Sequence, residues 1–297
     1  MTPDAAAPRR APWARLLPAL ALMLNSLTWG VSWWPFRQLE ARGLHPLWAT
    51  ALIYAAAVLA ITIARPQAWR QLFAAPALWV LVLASGTTNA SFNWGVTIGD
   101  VVRVVLLFYL MPLWAVLLAR LLLGERLTGA AGVRVAMALA GAAIVLWPAG
   151  GGWPLPRTLA EGLGVLGGAT FALNNVMLRR EADEPDAARA LAMFLGGALV
   201  AGGLALVLAL QGTAAWPPAP APGWVGGALA MAVLFLAGNL ALQYGAARLP
   251  ANVTAVVMVT EVLFASVSAL WLGAASLSAP LVLGAALIIC ATLLSAR

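Results

Sequence analysis

Long apolar runs, separated by short polar or Pro/Gly-rich breaks, fill the chain. Ten runs cover residues 15–36, 46–64, 76–98, 101–123, 130–147, 160–179, 187–210, 224–247, 251–272 and 278–295. Each is close to the roughly 20 residues that an α-helix needs to cross hydrocarbon. Backbone groups in lipid must be satisfied within their own segment, so the pattern predicts helices. The expected fold is an all-α polytopic membrane protein with ten transmembrane helices. The breaks differ in kind. "WPAGGGWPLPR" and "QGTAAWPPAPAPG" are long loops, whereas "TIGDVV" and "RLPANV" are tight joints between the third and fourth and the eighth and ninth runs.

Polar positions are unevenly shared among the runs. The first carries Asn25, Ser26, Thr28 and Ser32. The third carries Ser85, Thr87, Thr88, Asn89, Ser91, Asn93 and Thr97. The fourth has Arg103 and Tyr109, the sixth Asn174 and Asn175, and the eighth Asn239 and Gln243. The ninth holds Asn252, Thr254, Thr260, Ser266, Ser268 and one acid, Glu261. The second, fifth, seventh and tenth runs are almost wholly apolar. Amides and charges are costly in hydrocarbon and turn toward partners or water. Runs 1, 3, 4, 6, 8 and 9 are therefore expected around a central, partly wet cavity, and runs 2, 5, 7 and 10 at the periphery.

That division repeats. "NASFNWG" at Asn89–Gly95 matches "NLALQYG" at Asn239–Gly245 at an offset of 150. "MPLWAVLLARLLLGERLT" aligns with "TEVLFASVSALWLGAASLS" at 149, drifting to 150, which sets Pro112 against Glu261. Two halves of five runs each follow. An odd number of crossings per half inserts the second half upside down, giving an inverted repeat. The expected divisions are a cytoplasmic N-terminal tail (1–14), a first five-helix repeat (15–148), a periplasmic linker (149–159) and a second five-helix repeat (160–297).

Composition then narrows the class. The chain of 297 residues is 63% hydrophobic and only 9% charged, too few charges to cover a soluble surface. All of its basic residues are arginine. With the N-terminus inside and ten crossings, thirteen arginines fall inside and four (Arg37, Arg42, Arg103, Arg157) outside. This positive-inside bias puts both termini in the cytoplasm and accounts for the net charge of +7 without nucleic acid. Trp33, Trp34, Trp48, Trp147, Trp153, Trp216 and Trp224 fall near run ends, as an interfacial aromatic belt does. The first run continues into "NSLTWGVSWWPF" instead of a cleavage site, so it reads as an uncleaved span. One histidine (His45) and one cysteine (Cys290, expected as a small buried hydrophobe) cannot build a zinc site. Neither HExxH nor GxxxxGK[ST] is present, so no cofactor or ATP-hydrolysing site is expected.

Ten runs in a five-plus-five inverted repeat, the fourth-run pattern "P-x-x-x-x-x-L…LLLGERLT" from Pro112 to Thr128, and the tight "TIGDVV" joint resemble the EamA-type transporters of the drug/metabolite transporter superfamily. "FYLMPLWAVLLA" after "GDVVRV" is similar to the YddG-like branch, bacterial exporters of aromatic amino acids. The resemblance implies a secondary transporter of the bacterial inner membrane that exports small metabolites, amino acids foremost, by alternating access. Multidrug or other metabolite efflux is the alternative, and an integral membrane enzyme a remote one. The partners expected are a small-molecule substrate and the bilayer. The family usually has proline near the position of Glu261, often preceded by an acid, so the second half departs from its pattern there.

Candidate substrate contacts are Trp29, Asn89, Asn93, Trp94, Tyr109, Asn175, Asn239, Gln243, Tyr244 and Glu261, with Pro112 as a hinge. Each has a plainer reading. The amides also serve as interhelical glue, and the aromatic rings as packing. Asn174 and Asn175 differ by about 100° around a helix, and Asn175 is placed toward the cavity. Pro112 removes one backbone hydrogen bond and loosens its helix. Arg103 pairs with Asp100, three residues before it, or draws carboxylates to an outer vestibule. Glu125 in "LLLGERLT" braces a loop. For Glu261 three roles stand open: a neutral acid bonded to Asn or Thr neighbours, a binder of a substrate ammonium, or a carrier of a coupling proton.

Overall fold

The computed structural model describes residues 12–124, 129–147, 153–246, 248, 257, 258 and 260–295. Glu125, Arg126, Asn252 and Thr254 lie outside the described residues, as do the side chains of Pro112 and Gln243. Every described element is a helix. In order they are α1 (Pro12–Val31), α2 (Trp33–Glu40), α3 (Pro46–Ala64), α4 (Gln67–Ala74), α5 (Leu78–Ile98), α6 (Val101–Phe108), α7 (Met111–Leu123), α8 (Gly129–Leu146), α9 (Leu159–Arg180), α10 (Asp186–Leu210), α11 (Pro222–Ala246), α12 (Thr260–Trp271) and α13 (Ala279–Ser295).

Among the described residues, six helical stretches are long and apolar enough to cross a membrane, or seven if α4 and α5 form one span bent by 106°. Against the ten runs expected, α9 carries Glu161, Arg179 and Arg180, while α12 and Ala279–Ala291 of α13 are apolar but shorter. The protein is thus all-helical with multiple membrane spans.

α5 lies against α9 and α10, α3 against α10, and α1 against α11 and α12. α8 and α13 pair with each other at one side. Glycines set the closest approaches, as in membrane bundles whose helices must dock without help from water. A Cβ on Gly141 of α8 would sit 2.7 Å from the Gly284 carbonyl oxygen of α13. Gly86 of α5 and Gly196 of α10 are face to face in the same way. Cys290 is exposed on the outer side of α13. Its apolar run predicts burial, but only the packed face of a lipid-bathed helix is covered.

Side chains fasten the helix ends. His45 caps α3, its Nδ1 accepting from the Leu47 N–H at 3.2 Å. Half-buried His45 has its pKa pushed below the usual histidine value by desolvation. Arg37 on α2 donates to the carbonyls of Thr97 (3.0 Å), Val96 (3.3 Å) and Gly99 (2.5 Å), which closes the C-terminus of α5 with a cation. Arg37→Gln is expected to lower the thermal stability of the detergent-solubilised protein by about 1–2 kcal/mol, read as a shift of its unfolding midpoint.

Asp100 caps α6 by accepting from the Arg103 N–H at 2.8 Å. The Arg103 guanidinium does not turn back to Asp100. It reaches Glu161 of α9 at 2.6 Å, a carboxylate also held in the capping box with Thr158. The i, i+3 reading fails because the N-cap geometry already uses the Asp100 carboxylate. Trp33 is buried, donating to Ser268 Oγ at 2.9 Å, and so leaves the belt, while Trp147, Trp153 and Trp216 stay exposed.

Candidate substrate cavity

Among the described residues the helices converge on a cavity of about 80 Å³. At about 10–15 Å³ per ordered water it has room for several. Its wall is mainly apolar and rich in aromatic rings. Trp29 of α1 packs edge-on to Phe92 of α5 at 5.8 Å and tilts against Phe235 of α11 at 4.7 Å. Phe108 meets Phe92 at 5.0 Å and Phe171 at 5.2 Å.

Polar groups punctuate this wall. Asn89 is held on both sides: the Tyr54 hydroxyl donates to its Oδ1 at 2.6 Å, and its Nδ2 donates to the Ser85 carbonyl at 2.7 Å. Thr88 donates to Thr170 Oγ1 at 2.9 Å, tying α5 to α9. Glu261 is 6% exposed and lines the cavity from α12. Tyr109, buried where α6 ends, places its hydroxyl 3.0 Å from Glu261 Oε2 and 3.2 Å from the Met258 carbonyl. One hydroxyl carries one proton, so these two acceptors compete for it.

Trp29, Asn89, Asn239 and Glu261 line the cavity, and Tyr109 touches it through Glu261. The other candidates fall elsewhere. Asn93 is fully buried and donates to Thr50 Oγ1 of α3 at 3.1 Å, which makes it glue between two helices. Trp94 lies outside the lining, half-buried against the cluster of Leu47, Ala90 and Ala201 with its ring 5.5 Å from His45. Tyr244 lies under the Arg248 guanidinium, 3.9 Å from its ring centre. Asn175 is exposed, and its neighbour Asn174, 2% exposed, lines the cavity instead. The correction follows from α9's own stripe. Gly164, Gly167, Gly168 and Phe171 face α5 and α6, and Asn174 extends that row at helical spacing.

Runs 2 and 7 are not peripheral. They supply Tyr54, Met193 and Phe194 to the lining. The signal was faint but present, since Tyr54 is one of only three tyrosines and sits within an apolar run. Runs 5 and 10, as α8 and α13, contribute nothing to it among the described residues. The fourth run breaks at Tyr109–Leu110, and Pro112 is the second residue of the helix that resumes. A proline there has no N–H for the Phe108 carbonyl. That carbonyl lies against Gly168, where a side chain would collide with it.

Residues 16–147 match the EamA-like transporter family. No curated protein matches the chain at comparable significance. A crystal structure of a protein matches over 94% of this chain and 96% of its own, with a TM-score of 0.60 and 20% sequence identity. That likeness shows a shared fold and nothing of activity.

Proposed function

We propose that the protein is a secondary transporter that carries small metabolites, aromatic and other neutral amino acids among them, out of the bacterial cytoplasm. The observation that carries this reading is the cavity itself, a chamber at the convergence of eight of the described helices, walled by aromatic rings and amides. The family match over residues 16–147 supports it independently.

Ten crossings in two inverted halves, with cytoplasmic termini, are part of the proposal. The packing supports this through matched contacts. α5 lies on α9 as α1 lies on α11, and α6 and α7 lie on α9 as α12 lies on α1. The equivalent glycines Gly95 and Gly245 serve equivalent interfaces, Gly95 against Ala160 and Leu163 of α9, Gly245 against Pro18 and Leu22 of α1. Solute sites of inverted-repeat transporters lie between the halves, and Asn89 and Asn239, equivalent in the repeat, both line this cavity.

The cavity is smaller than the roughly 300–1,000 Å³ of small-molecule pockets, so its walls part before a solute enters. The Tyr109–Leu110 break is the proposed joint, with Pro112 keeping the helix from reclosing. Counterflow in proteoliposomes tests the function. Labelled phenylalanine or leucine is expected to accumulate against an unlabelled internal pool. If no amino acid, nucleoside or cationic dye moves above the empty-liposome background, the transporter reading is wrong. Movement of dyes alone makes it an efflux protein of broader range.

A further inference from the structure

Among the described residues, the cavity's buried side-chain atoms without a hydrogen-bond partner are acceptors. Its hydroxyl and amide donors are largely consumed by the protein: Tyr54 by Asn89, Thr88 by Thr170, Asn89 by Ser85, and Tyr109 by Glu261 and Met258. What is left over accepts. Asn25 Oδ1 and Asn174 Oδ1 are buried without a hydrogen-bond partner, in side chains 1% and 2% exposed that line this cavity. Glu261 Oε2 takes the Tyr109 hydroxyl, and among the described residues Oε1 has no partner. Burying unmatched acceptors is costly, and a cluster of them around a chamber asks for a ligand that supplies donors.

An amide can turn over and offer its NH₂ instead, whereas an ionised glutamate only accepts. No arginine or histidine lines the cavity among the described residues, so a carboxylate or phosphate finds no cation there. The aromatic wall acts in the same direction, because a ring face offered to the cavity attracts a cation and repels an anion, and Trp29, Phe92, Phe108 and Phe235 line it.

We propose that the cavity recognises a protonated amine: Glu261 Oε1 binds the ammonium, Asn25 and Asn174 take its remaining N–H donors, and the aromatic wall holds an apolar body. An ammonium has three donors and no acceptor, and it forms a charge-assisted bond with the carboxylate. The carboxylate of an amino acid is then dispensable, and aromatic monoamines are ligands in their own right. This rests on the cavity being the solute site proposed above.

The test is binding of labelled tryptamine to purified, detergent-solubilised protein by scintillation proximity, with tryptophan and N-acetyltryptophan as competitors. Tryptamine is expected to bind and tryptophan to compete. N-acetyltryptophan, which keeps the ring and carboxylate but loses the cation, is expected to compete at least about tenfold more weakly. Glu261→Gln, confirmed monodisperse, is expected to weaken tryptamine binding about tenfold or more. No tryptamine binding, equal competition by the acetylated compound, or unchanged affinity in a folded Glu261→Gln overturns the assignment. The competitor series needs only wild-type protein, so a misfolded variant does not block the test. Binding without counterflow contradicts the transporter reading and leaves the amine site standing, whereas counterflow indifferent to the ammonium does the reverse.

Discussion

Gly196→Val is expected to abolish accumulation of folded protein in the membrane. A side chain at this position of α10 runs into the Val82 carbonyl oxygen and the Gly86 amide nitrogen of α5, which are backbone atoms and cannot swing aside. The α5–α10 contact then opens or the helices slide, at a cost of about 3 kcal/mol or more. That is a large part of the margin of an ordinary fold. Gly203→Val is the control on the same helix, since a Cβ there meets nothing within 4 Å. The yield of monodisperse protein on size-exclusion chromatography is the measurement. A normal yield for Gly196→Val contradicts the close α5–α10 packing.

Trp29→Ala is expected to reduce transport at least about tenfold, whereas Trp94→Ala leaves it within about twofold of wild type. Trp29 bridges Phe92 and Phe235 across the cavity, so its loss removes a wall and enlarges the chamber. Trp94 contacts His45 and the apolar cluster around Leu47, Ala90 and Ala201, away from the lining. Asn93→Ala acts differently again. It breaks the bond to Thr50 and is expected to cost about 1–2 kcal/mol of thermal stability while solute affinity is kept. Initial counterflow rates at matched protein incorporation separate the three. Equal losses in Trp29→Ala and Trp94→Ala sink the boundary drawn around the cavity.

The residues named in advance divide along a physical line. Asn89, Asn239, Trp29 and Glu261 were legible because an amide, an indole or an acid inside an apolar run must face something other than lipid. The rule says inward and does not say toward what. Asn93 obeys it by bonding Thr50 on the next helix, and Tyr244 by stacking with Arg248. One turn of helix separates Asn89 from Asn93, and one faces the chamber while the other fills a joint.

Phe92, Phe171 and Phe235 carried no signal of their own, since a phenylalanine in a membrane run is ordinary. Only convergence of α5, α9 and α11 turns them into a wall. Asn174 was recoverable from the Gly164–Gly168–Phe171 row, which marks the packed face of α9.

By itself, the sequence determined that this chain is a multi-span bundle of helices. Hydrocarbon admits no unsatisfied backbone, so run length and apolar content alone decide the element type. It also marked most of the helices that turn amides inward, because burying amides in lipid is costly enough to be avoided. It missed α3, which brings Tyr54 and Thr50 to Asn89 and Asn93. Tertiary structure decided which of those groups share a chamber and which fasten neighbouring helices, and that Tyr54, Met193 and Phe194 join the former. It also decided that Glu261 meets Tyr109 across half the chain. Those outcomes depend on helix rotation and on glycine-sized approaches between segments far apart in sequence, which local periodicity does not encode.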